Sequence, residues 1–493
     1  MDFTIVIFLS SGLFLGWSLG ANDAANVFGT AVGARMVRFA TAALISSVFI
    51  LLGAVLSGAG AAHTLGTLGA INALPGSFMA ALSAGITVYL MTKAGLPVST
   101  GQAIVGAIIG WNLFTGSVTD MNALVKIMLT WVACPVLAAA FAAPIYLGVQ
   151  KYLAYAKLHI VRRDLYTRIG LLLAGAFGAY SLGANNIANV MGVFVPASPF
   201  TDFTLGGYDV SGIQQLFLVG ALAIGVGVFT YSKRVMMTVG DGIMPLSPIA
   251  AWVVVVAQSI VLTLFASEGL EYFLASHNLP TIPLVPVSSS QAVVGAVIGI
   301  GLLSGGRNLR WRMLGNISLG WITTPVVAAL ICYVSLFFLQ NVFNQKVYTE
   351  VHYTLSTPVF DHLTERGLPV EDMTALQGRT FRSANTFLDA IGERTFLTGY
   401  QQQELLRFAE VANLYVAPEL LDSPEFDWLG ADAKATLYEL AERRFATKWA
   451  LAEALAGLSE DWQPRPATIL NKSYNKDLQA KLDFLYRAFD VGR

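Results

Sequence analysis

From residue 3 to residue 340 the chain alternates long apolar runs with short polar breaks, and then the alternation stops. Each run holds roughly 18 or more residues, enough for a helix to cross the hydrocarbon of a bilayer. Helical spans are predicted at 3–20, 39–60, 77–92, 122–149, 213–231, 247–267 and 313–340, with another ending at Gly183. Hydrocarbon offers backbone groups no water to bond, so segments with this pattern span as helices. The predicted fold class is an all-α polytopic membrane protein. The first run is not read as a cleaved leader. Asp2 stands where a positive n-region belongs, and the polar motif that follows has a second copy deep in the chain.

That motif is Gly20-Ala21-Asn22-Asp23-Ala24-Ala25-Asn26-Val27-Phe28-Gly29. Its second copy is Gly183-Ala184-Asn185-Asn186-Ile187-Ala188-Asn189-Val190-Met191-Gly192, identical at seven of ten positions. Another pair starts at two prolines. Pro97-Val98-Ser99-Thr100-Gly101-Gln102 matches Pro286-Val287-Ser288-Ser289-Ser290-Gln291, and the likeness runs on through Gly106 and Gly110 to Gly295 and Gly299. Trp131 and Pro135 return as Trp321 and Pro325. The chain reads as an internal duplication. Membrane repeat 1 is assigned to 1–150, a basic connector to 151–168 and membrane repeat 2 to 169–344.

Lys and Arg orient the spans. The chain is threaded from an outside N-terminus, each Pro-Ser segment counting as a re-entrant hairpin with one net crossing. Arg35, Arg38, Lys93, the connector, Lys233, Arg234 and Arg307 to Arg312 then share one side. The opposite loops, 61–76, 115–121, 195–212 and 268–285, contain no Lys or Arg. The basic side is cytoplasmic by the positive-inside rule. A multi-pass protein of the cell (cytoplasmic) membrane is expected, with the N-terminus and everything after residue 344 outside. One motif runs inward and the other outward, so the repeats are inverted, with broken or re-entrant helices.

Composition sharpens two points. The mean hydropathy of +0.61 agrees with a chain mostly in lipid. The net charge of −1 is unevenly spread, since 22 of the 31 acids follow residue 344. Residues 345–493 are read as a soluble, mainly helical appendage, with helices near 400–415, 431–457 and 474–489. Cys134 and Cys332 lie in apolar runs and suggest neither a disulfide nor a thiolate metal site. His63 is read as a loop residue, and Trp111, Trp131, Trp311 and Trp321 as interface anchors. Gly240-Asp241 is a poor basis for an aspartyl protease, which needs two facing carboxylates. No enzyme activity, cofactor or nucleic-acid partner is expected.

Asn and Asp at membrane depth are costly and so mark a site. Asp23, Asn26, Asn186 and Asn189 offer oxygens to a hard cation such as Na⁺, and Asp23 adds charge. The alternative is an interhelical hydrogen-bond clamp. The Pro-Val-Ser stretches suit an anion, because a capped helix start aims free N–H groups and hydroxyls at one spot. Ser99, Thr100, Ser288, Ser289 and Ser290 should converge near the midplane, with Gln102, Gln291, Asn22 and Asn185 as further substrate ligands. Ordinary N-capping is the rival reading there. The Gly106/Gly110 and Gly295/Gly299 pairs are read as close helix packing.

On the duplicated Gly-x-Asn-Asp-x-x-Asn and Pro-x-Ser-x-x-Gln segments, with Thr238-Val239-Gly240, Leu246 and Pro248, the chain resembles the PiT family of inorganic phosphate transporters over about residues 5–340. The resemblance implies an inverted-repeat transporter, a homodimer, carrying inorganic phosphate with Na⁺ or H⁺. It implies nothing about the tail. The family pattern has Asp in the second motif, often after His-Gly, where this chain has Tyr180-Ser181-Leu182-Gly183-Ala184-Asn185-Asn186. One acidic cation ligand is gone and Asn186 brings an amide donor. Sulfate or another oxyanion is therefore the alternative cargo. A reading of a different class is a transporter-like sensor that binds the anion and signals through the tail.

Overall fold

The computed structural model describes residues 3–491 apart from 61–64, 66–67, 70, 95, 157, 199, 201–202, 206–207, 424–425 and 427. His63 and the side chains of Thr238 to Asp241 lie outside the described residues. Apart from a short hairpin that pairs Phe203–Leu205 with Tyr208–Val210, the membrane part is helical: α1 (Phe3–Asn22), α2 (Ala25–Gly33), α3 (Phe39–Ser57), α4 (Leu74–Lys93), α5 (Thr100–Thr115) and α6 (Met121–Ala156), then α7 (Ile160–Met191), α8 (Gly212–Gly242), α9 (Pro248–Leu264), α10 (Glu268–Ser276), α11 (Ser289–Leu303) and α12 (Trp311–Asn341). Among the described residues, seven spans are long and apolar enough to cross a bilayer. They become eight if α9 and α10, bent by 65° where they meet, count as one. The all-α polytopic expectation holds.

The connector 151–168 is mostly helix: α6 runs to Ala156, and His159, whose Nδ1 accepts from Val161 N–H, caps α7. One local expectation does not hold, because only the first motif breaks its helix. Ala24 N–H reaches back five residues to the Leu19 carbonyl at 3.2 Å, and Asn26 and Val27 N–H then bond only three residues back. In the second copy α7 continues unbroken through Asn185, Asn186 and Asn189. Asp23 is pulled sideways by a neighbouring helix start, as described below, whereas Asn186 bonds within its own helix.

The two repeats pack reciprocally. Gly20 of α1 lies against the Ile224 carbonyl of α8, and Gly183 of α7 against the Ile50 carbonyl of α3. Gly106 of α5 presses on Pro325 of α12, its missing Cβ 2.6 Å from the proline Cα, and Gly295 of α11 presses on Pro135 of α6 at 2.5 Å. Each half thus supplies the surface that buries the other's glycines, which is how small residues let helices approach in a membrane.

The bundle has two distinct ends. At one, Arg168 Nη1 donates to the Met36 carbonyl, Arg310 N–H to the Ile243 carbonyl, and Lys233 lies over Phe39. This is the basic end. At the other sits the tail, which carries hydrophobic clusters of its own, one from Leu355 to Ala409 and one from Leu414 to Phe489. Trp111, expected at a lipid interface, is instead buried at this end, donating to the Val347 carbonyl at 3.2 Å.

The tail contains a duplication that its sequence hides. A first copy holds β1 (Tyr353–Thr354), α13 (Thr357–Glu365), β2 (Thr380–Phe381), α14 (Ala384–Gly392) and α15 (Gly399–Ala409). A second holds β3 (Leu414–Tyr415), α16 (Pro418–Leu421), α17 (Ala431–Glu439), β4 (Arg444–Phe445), α18 (Lys448–Leu458) and α19 (Lys472–Ala488). Tyr353 pairs with Phe381 as Leu414 pairs with Phe445. Gly378 and Glu442, both at positive φ, donate to the Leu355 and Val416 carbonyls at 2.9 and 2.8 Å. Ser383 caps α14 as Thr447 caps α18. Short antiparallel strand pairs accompany the helices of this mainly helical tail.

Candidate substrate and ion site

Three stretches meet inside the bundle: the break between α1 and α2 and the starts of α5 and α11. Ser99 caps α5, its Oγ accepting from Gln102 N–H at 3.3 Å, and Ser288 caps α11 by accepting from Gln291 N–H at 3.2 Å. Both caps have extended backbone, the conformation that ends an approach strand and begins a helix. With the caps engaged, Thr100, Ser289 and Ser290 are left to face inward.

What they face is Asp23, which is buried. Its Oδ2 accepts from Thr100 N–H at 3.3 Å and from Thr100 Oγ1. Its Oδ1 accepts from Ser289 Oγ at 3.2 Å and Ser290 Oγ at 3.3 Å. Thr100 and Ser289 are counterparts in the two repeats, so one carboxylate ties both hairpins together. The single Ser290 hydroxyl proton is shared between Asp23 Oδ1 and the Val98 carbonyl, the latter at 2.6 Å, and Asn26 Nδ2 donates to Ser289 Oγ at 3.2 Å. The Asn189 amide packs over Gly101, 3.2 Å from where a Cβ would stand. A side chain at this position would press on that amide, whereas repeat 2 has Ser290 there.

Asn186 occupies the counterpart of the Asp23 position. Its Oδ1 accepts from Asn189 Nδ2 at 3.0 Å, while its Nδ2 is buried without a partner among the described residues. The same holds for the oxygens of Asn22, Asn26, Gln102, Asn189 and Gln291. A buried polar atom without a partner costs ~1–3 kcal/mol. Amide oxygens are donors of the kind a hard cation takes.

Asn22 and Asn185 are turned to the scaffold. Asn22 Nδ2 donates to Thr92 Oγ1 at 2.6 Å. Asn185 donates to the Val285 carbonyl at 3.3 Å and accepts from Val287 N–H at 2.8 Å, fixing the approach to Ser288. Thr92 and Cys134, whose thiol donates to the Ser288 carbonyl at 3.4 Å, also support the site, and no local pattern in the sequence marks either. A small cavity is lined by Asn26, Ser290, Ile317, Met313 and Ile243.

Reciprocal hairpins that meet on one buried carboxylate, in a bundle of inverted repeats, are the arrangement found in secondary transporters that work by alternating access. Residues 19–332 match the model of the phosphate transporter family. The chain belongs to that family. A protein of Methanocaldococcus jannaschii that bears the provisional name phosphate permease is 26% identical over 335 residues, covering 68% of this chain and 97% of the relative. One of Pyrococcus horikoshii with the same provisional name is 26% identical over 408 residues, covering 67% and 96%. A solved structure described as the sodium-dependent phosphate transporter shares the fold, with a TM-score of 0.52 at 23% identity over 68% of this chain and 99% of that one. The family match stops before the tail.

Proposed function

We propose that this chain carries inorganic phosphate across the cell membrane in symport with Na⁺. The observation that carries the reading is the pairing of Asp23 with Thr100, Ser289 and Ser290. Those donors sit at two helix starts, the place an oxyanion favours, and a carboxylate now holds them. Two anions side by side in a low dielectric repel strongly. Phosphate therefore needs a cation on Asp23 before it can take the same hydroxyls. The unpartnered oxygens of Asn26, Asn189, Gln102 and Gln291 suit a dehydrated Na⁺, and the solved relative is described as sodium-dependent. In this reading Asn22 and Asn185 position the hairpins, the basic end faces the cytoplasm, and the tail is extracytoplasmic.

Sulfate is the second reading, favoured by the free Nδ2 donor of Asn186. Sulfate carries no proton for a carboxylate to accept and prefers donors alone. The test is uptake of labelled phosphate and labelled sulfate into proteoliposomes under imposed Na⁺ or H⁺ gradients. Phosphate accumulation driven by Na⁺ is expected. Accumulation of sulfate alone, accumulation driven only by H⁺, or binding without accumulation refutes the proposal in its cargo, its ion or its class respectively.

A further inference from the structure

The family match leaves the tail without a role, yet the tail grips both membrane repeats at one end. On repeat 1, Val347 is buried beneath Trp111, and Thr349 and Asn72 exchange two hydrogen bonds at 2.9 and 3.0 Å. Ser383 of the first tail copy adjoins Gly116, the left-handed cap that ends α5. On repeat 2, Lys472 reaches both oxygens of Glu271 on α10 at 2.9 and 2.6 Å. Lys476 pairs with Glu268 at 3.3 Å, and Arg487 donates to the Pro196 carbonyl at 3.5 Å. The Glu271 side chain is only 10% exposed, so it needs the lysine's charge.

The two tail copies are themselves locked. Lys448 meets Glu410 at 2.5 Å, Trp449 Nε1 donates to the Phe408 carbonyl at 3.0 Å, and His362 stacks on the Trp449 ring. Force on one grip is therefore felt at the other. Both grips lead to the site. Gly116 ends the helix that begins at Thr100, and α10 continues through residues 277–287 to the Ser288 cap. The small cavity beside Asn26 and Ser290 also touches Ile243, whose carbonyl accepts from Arg310 N–H at the basic end.

We infer that the tail is a clamp that bridges the two inverted repeats and holds the site closed at the tail end, so that opening there requires release of the Lys472–Glu271 and Lys476–Glu268 pairs. This rests on the alternating-access reading above. Alternating access moves one set of elements against another, and a rigid tie across both repeats opposes that motion on its own side.

The test uses the full chain carrying Leu284→Cys, a buried position next to Glu268 across Gly60, and a membrane-impermeant thiol reagent applied from the tail side. The native thiols, Cys134 and Cys332, are buried, and the chain without Leu284→Cys gives their background. Lys472→Glu with Lys476→Glu should raise the labelling rate several-fold. Adding Glu268→Lys and Glu271→Lys should bring it back toward the parent. The milder pair Lys472→Gln and Lys476→Gln, which cannot repel the glutamates, should give an intermediate rate. Labelling that ignores all three changes, or a charge swap that does not restore protection, overturns the clamp. The labelling does not depend on cargo. If no phosphate moves while labelling follows the charges, the transport reading fails and the clamp stands.

Discussion

Asp23→Asn is the substitution on which the coupling mechanism turns. The amide keeps the shape of the carboxylate but removes the charge and replaces one acceptor by a donor. Four hydrogen bonds end on that carboxylate, all from Thr100, Ser289 and Ser290. Bonds to a charged acceptor are worth ~1.5–3 kcal/mol and neutral ones ~0.5–1.5. Their weakening is offset by the several kcal/mol no longer spent on burying a charge. The fold should survive, with a melting temperature within a few degrees of the parent. The cation fares differently. A charge pair ~4 Å apart at an effective dielectric of ~20 is worth ~4 kcal/mol. If desolvation cancels half, ~2 kcal/mol remains, roughly thirtyfold in affinity. Uptake of labelled phosphate into proteoliposomes, measured against Na⁺ concentration, should show half-saturation shifted upward by about that factor, or no saturation at all. A folded Asp23→Asn protein with parental Na⁺ dependence would remove Asp23 from the coupling site.

Three further outcomes are expected. Asn186→Asp should keep or improve phosphate uptake and leave sulfate a poor competitor; a parent that takes sulfate and ignores phosphate, with the variant reversing this, would mean the local amide decides the cargo. Gly106→Ala and Gly295→Ala should each cost ~3 kcal/mol or more, because the new methyl falls on proline backbone in the facing helix; equal thermal stability to the parent in detergent would refute the reciprocal packing. Ending the chain at residue 350 keeps Val347 and Thr349 in place and should leave a folded core that transports phosphate; a well-inserted but inactive product would make the tail part of the carrier itself.

Legibility in the sequence followed how directly each feature depends on lipid. Spans, repeats and loop charges were readable because hydrocarbon punishes polar residues wherever they fall. The hairpin starts were readable because capping needs Ser at one position after a proline turn, twice. The difference between the two motifs was visible as Asp23 against Asn186. Its effect on the helix was not, because the break depends on where Thr100 arrives from another part of the chain. The same holds for Asn22 and Asn185, whose partners Thr92, Val285 and Val287 are set by tertiary approach. Trp111 looked like an interface anchor because the strap that covers it comes from residue 347. The tail duplication was hidden because strands of two residues leave almost no alternation to detect.

The exchange of glycine contacts between repeats bears on how the protein is made. When α1 to α6 have left the ribosome, Gly20 has no Ile224 carbonyl to meet and Gly106 has no Pro325. The first half carries its own Asn22–Thr92 and Asp23–Thr100 bonds, but the glycine faces of its helices stay uncovered until α8 and finally α12 are inserted beside them. The packing between the repeats therefore forms last. Two half-chains made separately would each be incomplete, and each would be the other's most favourable partner.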